Sequence, residues 1–192
     1  MPTVKDFKNK DGKWGMYIHM GLVRTLSYTK WSGMKSRCSP TQTSLPAYIG
    51  CIMSENFKDF QFFAEWCQNQ TGYGLPGYEL DKDILINGNR LYSEDTCIFV
   101  PKKLNLFFIQ RTADRGPYPI GVSACKEPGR YQAHISIDSK LKRLGTFGSV
   151  QEAFAAYKVA KEFEARRWAE KLKDAAIDPR VIQRLQSWEL QS

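Results

Sequence analysis

Asp81, Lys82 and Asp83 follow one another in a stretch, Leu80 through Ile86, that reads as a strand. Residues two apart on a strand share a face. The two carboxylates could therefore hold one Mg2+ or Mn2+ ion, a hard cation that takes oxygen ligands. Lys82 between them is a different kind of group. A lysine has an unperturbed pKa of about 10.4, so at neutral pH it is a cation without a free lone pair. It can bind a phosphate, but it cannot be a general base unless burial lowers that pKa by several units. The same residues also fit a solvated charge cluster with Arg90. Spacing alone leaves both readings open.

A second set lies further along. Arg130, Gln132, His134 and Ser136 alternate with Tyr131, Ala133, Ile135 and Ile137, the period of a strand with one buried face. The apolar set should pack on a helix. The polar set should look outward, joined by Lys140, Lys142 or Arg143 from neighbouring segments. A narrow basic sheet can enter a major groove, where Arg and Lys read guanine and Gln reads adenine. A merely solvated sheet face is the competing reading.

These residues must be held by elements that the pattern also predicts. Residues 1–26 fit a small hairpin or an extended arm whose Lys5, Lys8, Lys10 and Lys13 lie along phosphates. Trp31, Met34 and Cys38 mark a helix over 27–38, and 39–48 is a loop. Phe60, Phe63, Ala64 and Cys67 form the stripe of a second helix, Phe57 to Asn69. Phe57, Phe60, Phe63 and Trp66 are core rather than a base-stacking platform. Asn87-Gly88 is a tight-turn signal after Leu80–Ile86. Cys97 to Val100 forms a returning strand, and Pro101 opens a short helix through Phe108. Residues 110–118 read as a linker. Three short strands follow, Ile120 to Ala124, Arg130 to Ile137 and Lys142 to Phe147. Ser149 with Glu152 is a capping box that opens a long helix to Lys171, with Ala153, Tyr157, Ala160 and Phe163 or Glu164 marking its face. Asp178-Pro179 starts a last helix, and Trp168 and Trp188 dock the last two helices.

The chain has 192 residues, 28 Lys and Arg against 20 Asp and Glu, a net charge of +8 and a pI near 9.2. That balance favours an anionic partner without identifying one. No apolar run reaches the roughly 18 residues of a membrane span, and the polar start of the chain is no signal peptide. A cytoplasmic protein with no membrane partner is expected. Five Cys without a Cys-x-x-Cys pair, and only two His, predict reduced, buried thiols and no zinc site. No Walker loop and no Gly-x-Ser-x-Gly occurs.

Four blocks in the second half carry a resemblance: Gly121-Val122, Arg130-Tyr131-Gln132-Ala133-His134-Ile135, Leu144-Gly145-Thr146-Phe147, and Gln151 to Tyr157 with Ala160. In order and spacing they resemble the APETALA/ethylene-response-factor DNA-binding domain. The resemblance implies a three-stranded sheet lying in the major groove. It implies DNA contact by Arg130, Gln132, His134, Lys142 and Arg143. Ser123 replaces the family's arginine after Gly-Val, and Arg143 stands where plant domains often carry Trp.

The first half has its own blocks: Trp31-x-x-Met34-x-x-Arg37-Cys38, Phe60-x-x-Phe63-Ala64-x-Trp66, Leu80-Asp81-Lys82-Asp83, Gly88-Asn89, Tyr92 and Cys97-x-Phe99-Val100-Pro101. These resemble bacteriophage HNH homing-endonuclease-like proteins, several of which carry the same type of C-terminal module. The two resemblances cover about residues 28–172. The HNH site is a hairpin followed by a helix, with one divalent ion against the scissile phosphate. The resemblance implies Asp81 as metal ligand, with Asp83 beside it, and Asn105 at the last ligand position. It puts Thr96 near the middle asparagine and Lys82 where a histidine would activate water. Losing a general base costs about 10²–10⁴ in rate; His19 or a metal-bound hydroxide would have to substitute.

The expected protein is α+β: an HNH-like ββα module with extra helices over 1–108, a linker over 109–118, and a sheet-and-helix module over 119–192 with the last helix. Its expected partner is double-stranded DNA. Three functions compete: a Mg2+- or Mn2+-dependent endonuclease with Asp81, Lys82 and Asn105 as catalytic residues, a non-cleaving DNA-binding regulator, and a phage effector that binds a host protein in the host cytoplasm.

Overall fold

The computed structural model describes residues 3–18, 23–42, 46–108 and 117–190. The chain is α+β and divides into two compact units. The first takes Met1–Leu106 with Ala176–Arg180, the second Phe107–Ala175 with Val181–Ser192. Of the expected linker only residues 117 and 118 fall within the described residues. No helix among the described residues is long and apolar enough to cross a membrane.

The first unit opens on a small sheet, β1 (Thr3–Val4), β2 (Tyr17–Ile18) and β3 (Val23–Thr25), in the order β1-β3-β2. The hairpin alternative therefore holds for the start of the chain, and an extended arm does not. Helix α1 (Leu26–Arg37) follows without a break. Asp6 ties the two together: one carboxylate oxygen accepts from Ser27 N at 2.9 Å and Ser27 Oγ at 2.7 Å. The other accepts from Gln68 Nε2 and from the Tyr73 hydroxyl.

The expected second helix is two helices, α2 (Glu55–Lys58) and α3 (Phe60–Gln68), after a short strand β4 (Ile52–Met53). Asp59 divides them because its extended backbone lets its carboxylate cap α3, accepting from Gln61 N at 2.8 Å. Ser54 caps α2 in the same way, through Phe57 N. The aromatic stripe is core: Phe57, Phe60 and Phe63 are buried with Met34, Cys67 and Cys97. Trp31 joins them and donates its indole N–H to Phe57 O at 2.8 Å.

Strand β5 (Tyr78–Asp81) ends earlier than the alternation suggests. It pairs antiparallel with β7 (Ile98–Pro101), Asp81 opposite Ile98, and β7 leads into α4 (Lys102–Phe108). The short strand between them, β6 (Leu91–Tyr92), pairs parallel with β4 instead. Asn87-Gly88 does turn, with Gly88 at φ 70°, but it joins no paired strands. The physical reason is Asp81, whose Oδ1 accepts from the amides of Asp83 and Ile84 at 2.8 and 2.7 Å. That bend takes the chain out of the ladder as soon as β5 ends.

The second unit is a three-stranded antiparallel sheet, β8 (Val122–Ala124), β9 (Tyr131–Ile137) and β10 (Lys140–Phe147), in the order β10-β9-β8. Asp138 and Ser139, both at positive φ, form the two-residue turn between β9 and β10. Helix α5 (Val150–Lys171) packs across all three strands. Ser149 caps it, accepting from Glu152 N, while the Glu152 carboxylate reaches Gly148 N, one residue before the cap. Ala153, Tyr157, Lys161, Glu164, Ala165 and Ala169 face inward, so Glu164 marks the face and Phe163 stands 65% exposed. Close approach also needs Gly121, where a Cβ would stand 2.1 Å from the Tyr157 ring. Helix α6 (Pro179–Gln186) buries Val181 and Leu185, and Trp188 beyond it packs on Phe107 and Phe108.

Candidate nucleic-acid interface

The pleat of β9 divides its side chains as the alternation predicts. Ala133 and Ile135 are buried under α5, and Gln132, His134 and Ser136 lie on the opposite face with Arg130 just before the strand. The register carries this division to the neighbours, because residues directly opposite across a ladder share a face. Ser123 stands opposite Gln132, Arg143 opposite His134, and Leu141 opposite Ser136. Arg143 therefore belongs to the outward face.

Lys142 does not. It stands opposite Ile135, which places it on the helix side of an edge strand, where it is exposed. Lys142 and Arg143, expected together among the outward groups, therefore stand on opposite faces, because neighbours on a strand point to opposite sides. A bulge then sits at Leu144, since Arg143 pairs with His134 but Gly145 pairs with Ala133. The extra residue restores Thr146 to the outward face, opposite Gln132, and its hydroxyl accepts from the Arg143 guanidinium. Thr146 was missed by sequence reasoning because uninterrupted alternation from Arg143 puts it inward.

The outward strand positions carry no acid. The nearest carboxylate in the β9–β10 turn, Asp138, is held by α5: Arg167 Nη2 lies 3.1 Å from it and Lys171 Nζ 3.6 Å. Those cations, Lys171 foremost, hold its carboxyl below the usual range. The face thus combines the Arg143 guanidinium with Gln132, His134, Ser123 and Thr146, all hydrogen-bonding groups that base edges and phosphates can meet.

The locus at Asp81 is built differently. Asp81 is 7% exposed and Lys82 3% exposed, so the solvated-cluster reading fails for these two, while the Asp83 side chain is 46% exposed. Burial holds the Asp81 carboxyl above its usual range, against the opposing pull of the Ile84 and Asp83 amides. The Lys82 ammonium donates to both Asp83 oxygens, at 2.7 and 2.8 Å, and to Asn89 O at 2.5 Å. Asn89 returns the contact by donating to Lys82 O at 2.9 Å. Asp83 has left the strand, so the expected shared face of Asp81 and Asp83 is not formed. The negative charge a divalent ion would neutralise is met by backbone amides and by Lys82. Thr96 is buried and bonds Ser93 and Leu91 O. Asn105 is half-buried on α4. His19 lies outside the described residues. No group of three or more His, Cys, Asp or Glu able to hold a metal ion occurs among the described residues.

The thiols are free. Cys51, Cys67 and Cys97 are buried, and Cys38 and Cys125 half-buried. Burial pushes Cys97 up to about 12 and Cys38 up to about 11. No family model matches the chain, and no curated protein or solved structure matches it.

Proposed function

We propose that the chain binds duplex DNA through the outward face of the β8–β9–β10 sheet. One observation carries the reading: Gln132, His134 and Arg143 share a face that α5 does not cover, with the exposed Arg130 immediately before the strand. A sheet of three strands is narrow enough to lie in a major groove, and these side chains match its donors and acceptors. Fluorescence anisotropy with labelled duplex at rising salt tests it. The logarithm of the binding constant should fall linearly with the logarithm of salt concentration, because neutralised phosphates release counterions. A salt-insensitive complex, or no complex at low salt, overturns it.

The first unit acts in this reading as a ββα-type module without cleavage activity. Its arrangement does not fit a resident Mg2+ or Mn2+ ion: Asp81 Oδ1 is engaged by two amides, and both Asp83 oxygens by an ammonium. Lys82, where a histidine would activate water, is instead taken up by Asp83 and Asn89 O. The nuclease reading keeps one supporting observation, the order β5, β7, α4, a strand pair followed by a helix. Supercoiled plasmid incubated with Mg2+ or Mn2+, beside the Asp81→Ala protein, separates the two. Intact plasmid is expected, and metal-dependent nicking abolished by Asp81→Ala would restore the endonuclease.

A further inference from the structure

A cleft of about 360 Å³ in the first unit is lined by α1, by β1 with Lys5 after it, and by the loop 73–77 before β5. That volume lies in the range of small-ligand sites, about 300–1,000 Å³. Two of its lining residues are charged, Lys5 and Lys30, and both are cations. Neither ammonium has a hydrogen bond or an ion-pair partner among the described residues.

Lys30 is the informative one. It stands one helical turn after Leu26, another lining residue, and it is half-buried. Desolvation holds its pKa below the ordinary lysine value, and the Glu79 charge opposes the shift. A surface lysine can turn to water, but a partly desolvated ammonium without a carboxylate in contact is costly. The neighbouring carboxylates are engaged elsewhere. Glu79 pairs with Lys102 at 3.6 Å, and Asp6 serves Ser27, Gln68 and Tyr73.

Apart from Thr3, the rest of the lining is aromatic and apolar, with Tyr73, Tyr78 and Phe99. The Tyr78 ring lies against Gly72, where a Cβ would stand 2.7 Å from it. Gly72, Gly74 and Gly77 all have positive φ, which gives the loop a path that other residues rarely follow. Cations beside aromatic walls match a ligand with a flat ring and a phosphate.

We propose that this cleft binds a nucleoside monophosphate, its base against Tyr73 and Tyr78 and its phosphate between Lys30 and Lys5. The ligand is either a free nucleotide or the 5′-phosphorylated end of a strand. The inference does not depend on duplex binding by the sheet of the second unit.

Isothermal titration of the full chain tests it, with a deoxynucleoside monophosphate, the matching nucleoside and inorganic phosphate as probes. The monophosphate should bind saturably and at least about tenfold tighter than either part alone. Lys30→Met should weaken it at least about tenfold, and Lys5→Glu, at an exposed site, should do so without touching the core. A 5′-phosphorylated single strand that displaces the nucleotide, where the unphosphorylated strand does not, assigns the site to strand ends. Failure of both strands to displace it assigns free nucleotide. No saturable binding at about 10 mM monophosphate, or affinity unchanged in Lys5→Glu, overturns the proposal.

Discussion

Arg143 and Lys142 are adjacent cations that the sheet sends to opposite faces, so they make a paired test of the DNA-binding face. Arg143 stands beside His134 and hydrogen-bonds Thr146 on the open side; Lys142 stands beside Ile135 on the helix side. If Arg143 reads a base, Arg143→Ala should cost about 1–3 kcal/mol, roughly 5- to 150-fold in affinity, and relax the preference at one base position. If it meets a phosphate instead, the salt slope should shrink by about 0.9 with no change in sequence preference. Lys142→Ala should cost under about 0.5 kcal/mol, about twofold, because its charge acts only at distances that salt screens within about 10 Å. The assay is anisotropy with one duplex across a salt series, with both variants and the parent in parallel. Both residues are exposed surface groups, so their unfolding midpoints should match the parent. A Lys142→Ala loss equal to or larger than that of Arg143→Ala would refute the face assignment.

Other outcomes follow from the interior. Lys161 is 9% exposed, donates to Phe107 O at 2.6 Å, and burial lowers its pKa from 10.5 to about 8. The unfolded chain therefore binds more protons between about pH 8 and 10.5, so stability should rise with pH there, by about 3 kcal/mol in all. Denaturant titrations at several pH values check it, and Lys161→Met should flatten the window. Asp6→Ala should destabilise the first unit by about 2–3 kcal/mol, because it strips the start of α1 and leaves Tyr73 and Gln68 without their acceptor. Chemical denaturation reads that directly. Phe63→Ala should cost about 3–5 kcal/mol, since the side chain is fully buried among Phe57, Trp66 and Met34. Cys38 should alkylate about 10²-fold more slowly in the native than in the unfolded protein at neutral pH, because burial suppresses its thiolate. Mass spectrometry after timed iodoacetamide exposure measures it.

Much of this was legible because it is local. The long helix announces itself by Ser149 and Glu152, and the structure places its cap at Ser149. The alternation of β9 separates Gln132 and His134 from Ala133 and Ile135 without knowledge of any partner. Asp59 was harder to read. Its carboxylate caps α3 and so breaks what the aromatic periodicity presents as a single helix. The stretch after Asp81 misled for a related reason: alternation continued in the sequence, but two amide bonds to one carboxylate ended the strand. Spacing left a solvated cluster at Lys82 open because lysines are usually exposed; only the packing of Asn89, Asp83 and Tyr92 around it makes it interior.

By itself the sequence determined the sheet-and-helix pattern of the second unit, the aromatic core of the first and the sides of β9. These follow from periodicity and capping, which act between residues a few positions apart. Only the tertiary structure decided which residues of β10 share the open face. One extra residue at Leu144 reverses the parity of everything after it, and a bulge exists only in relation to the strand it opposes. It likewise decided that Lys30 lines a cleft with no ion pair among the described residues, because burial and pairing depend on segments that are distant in the chain.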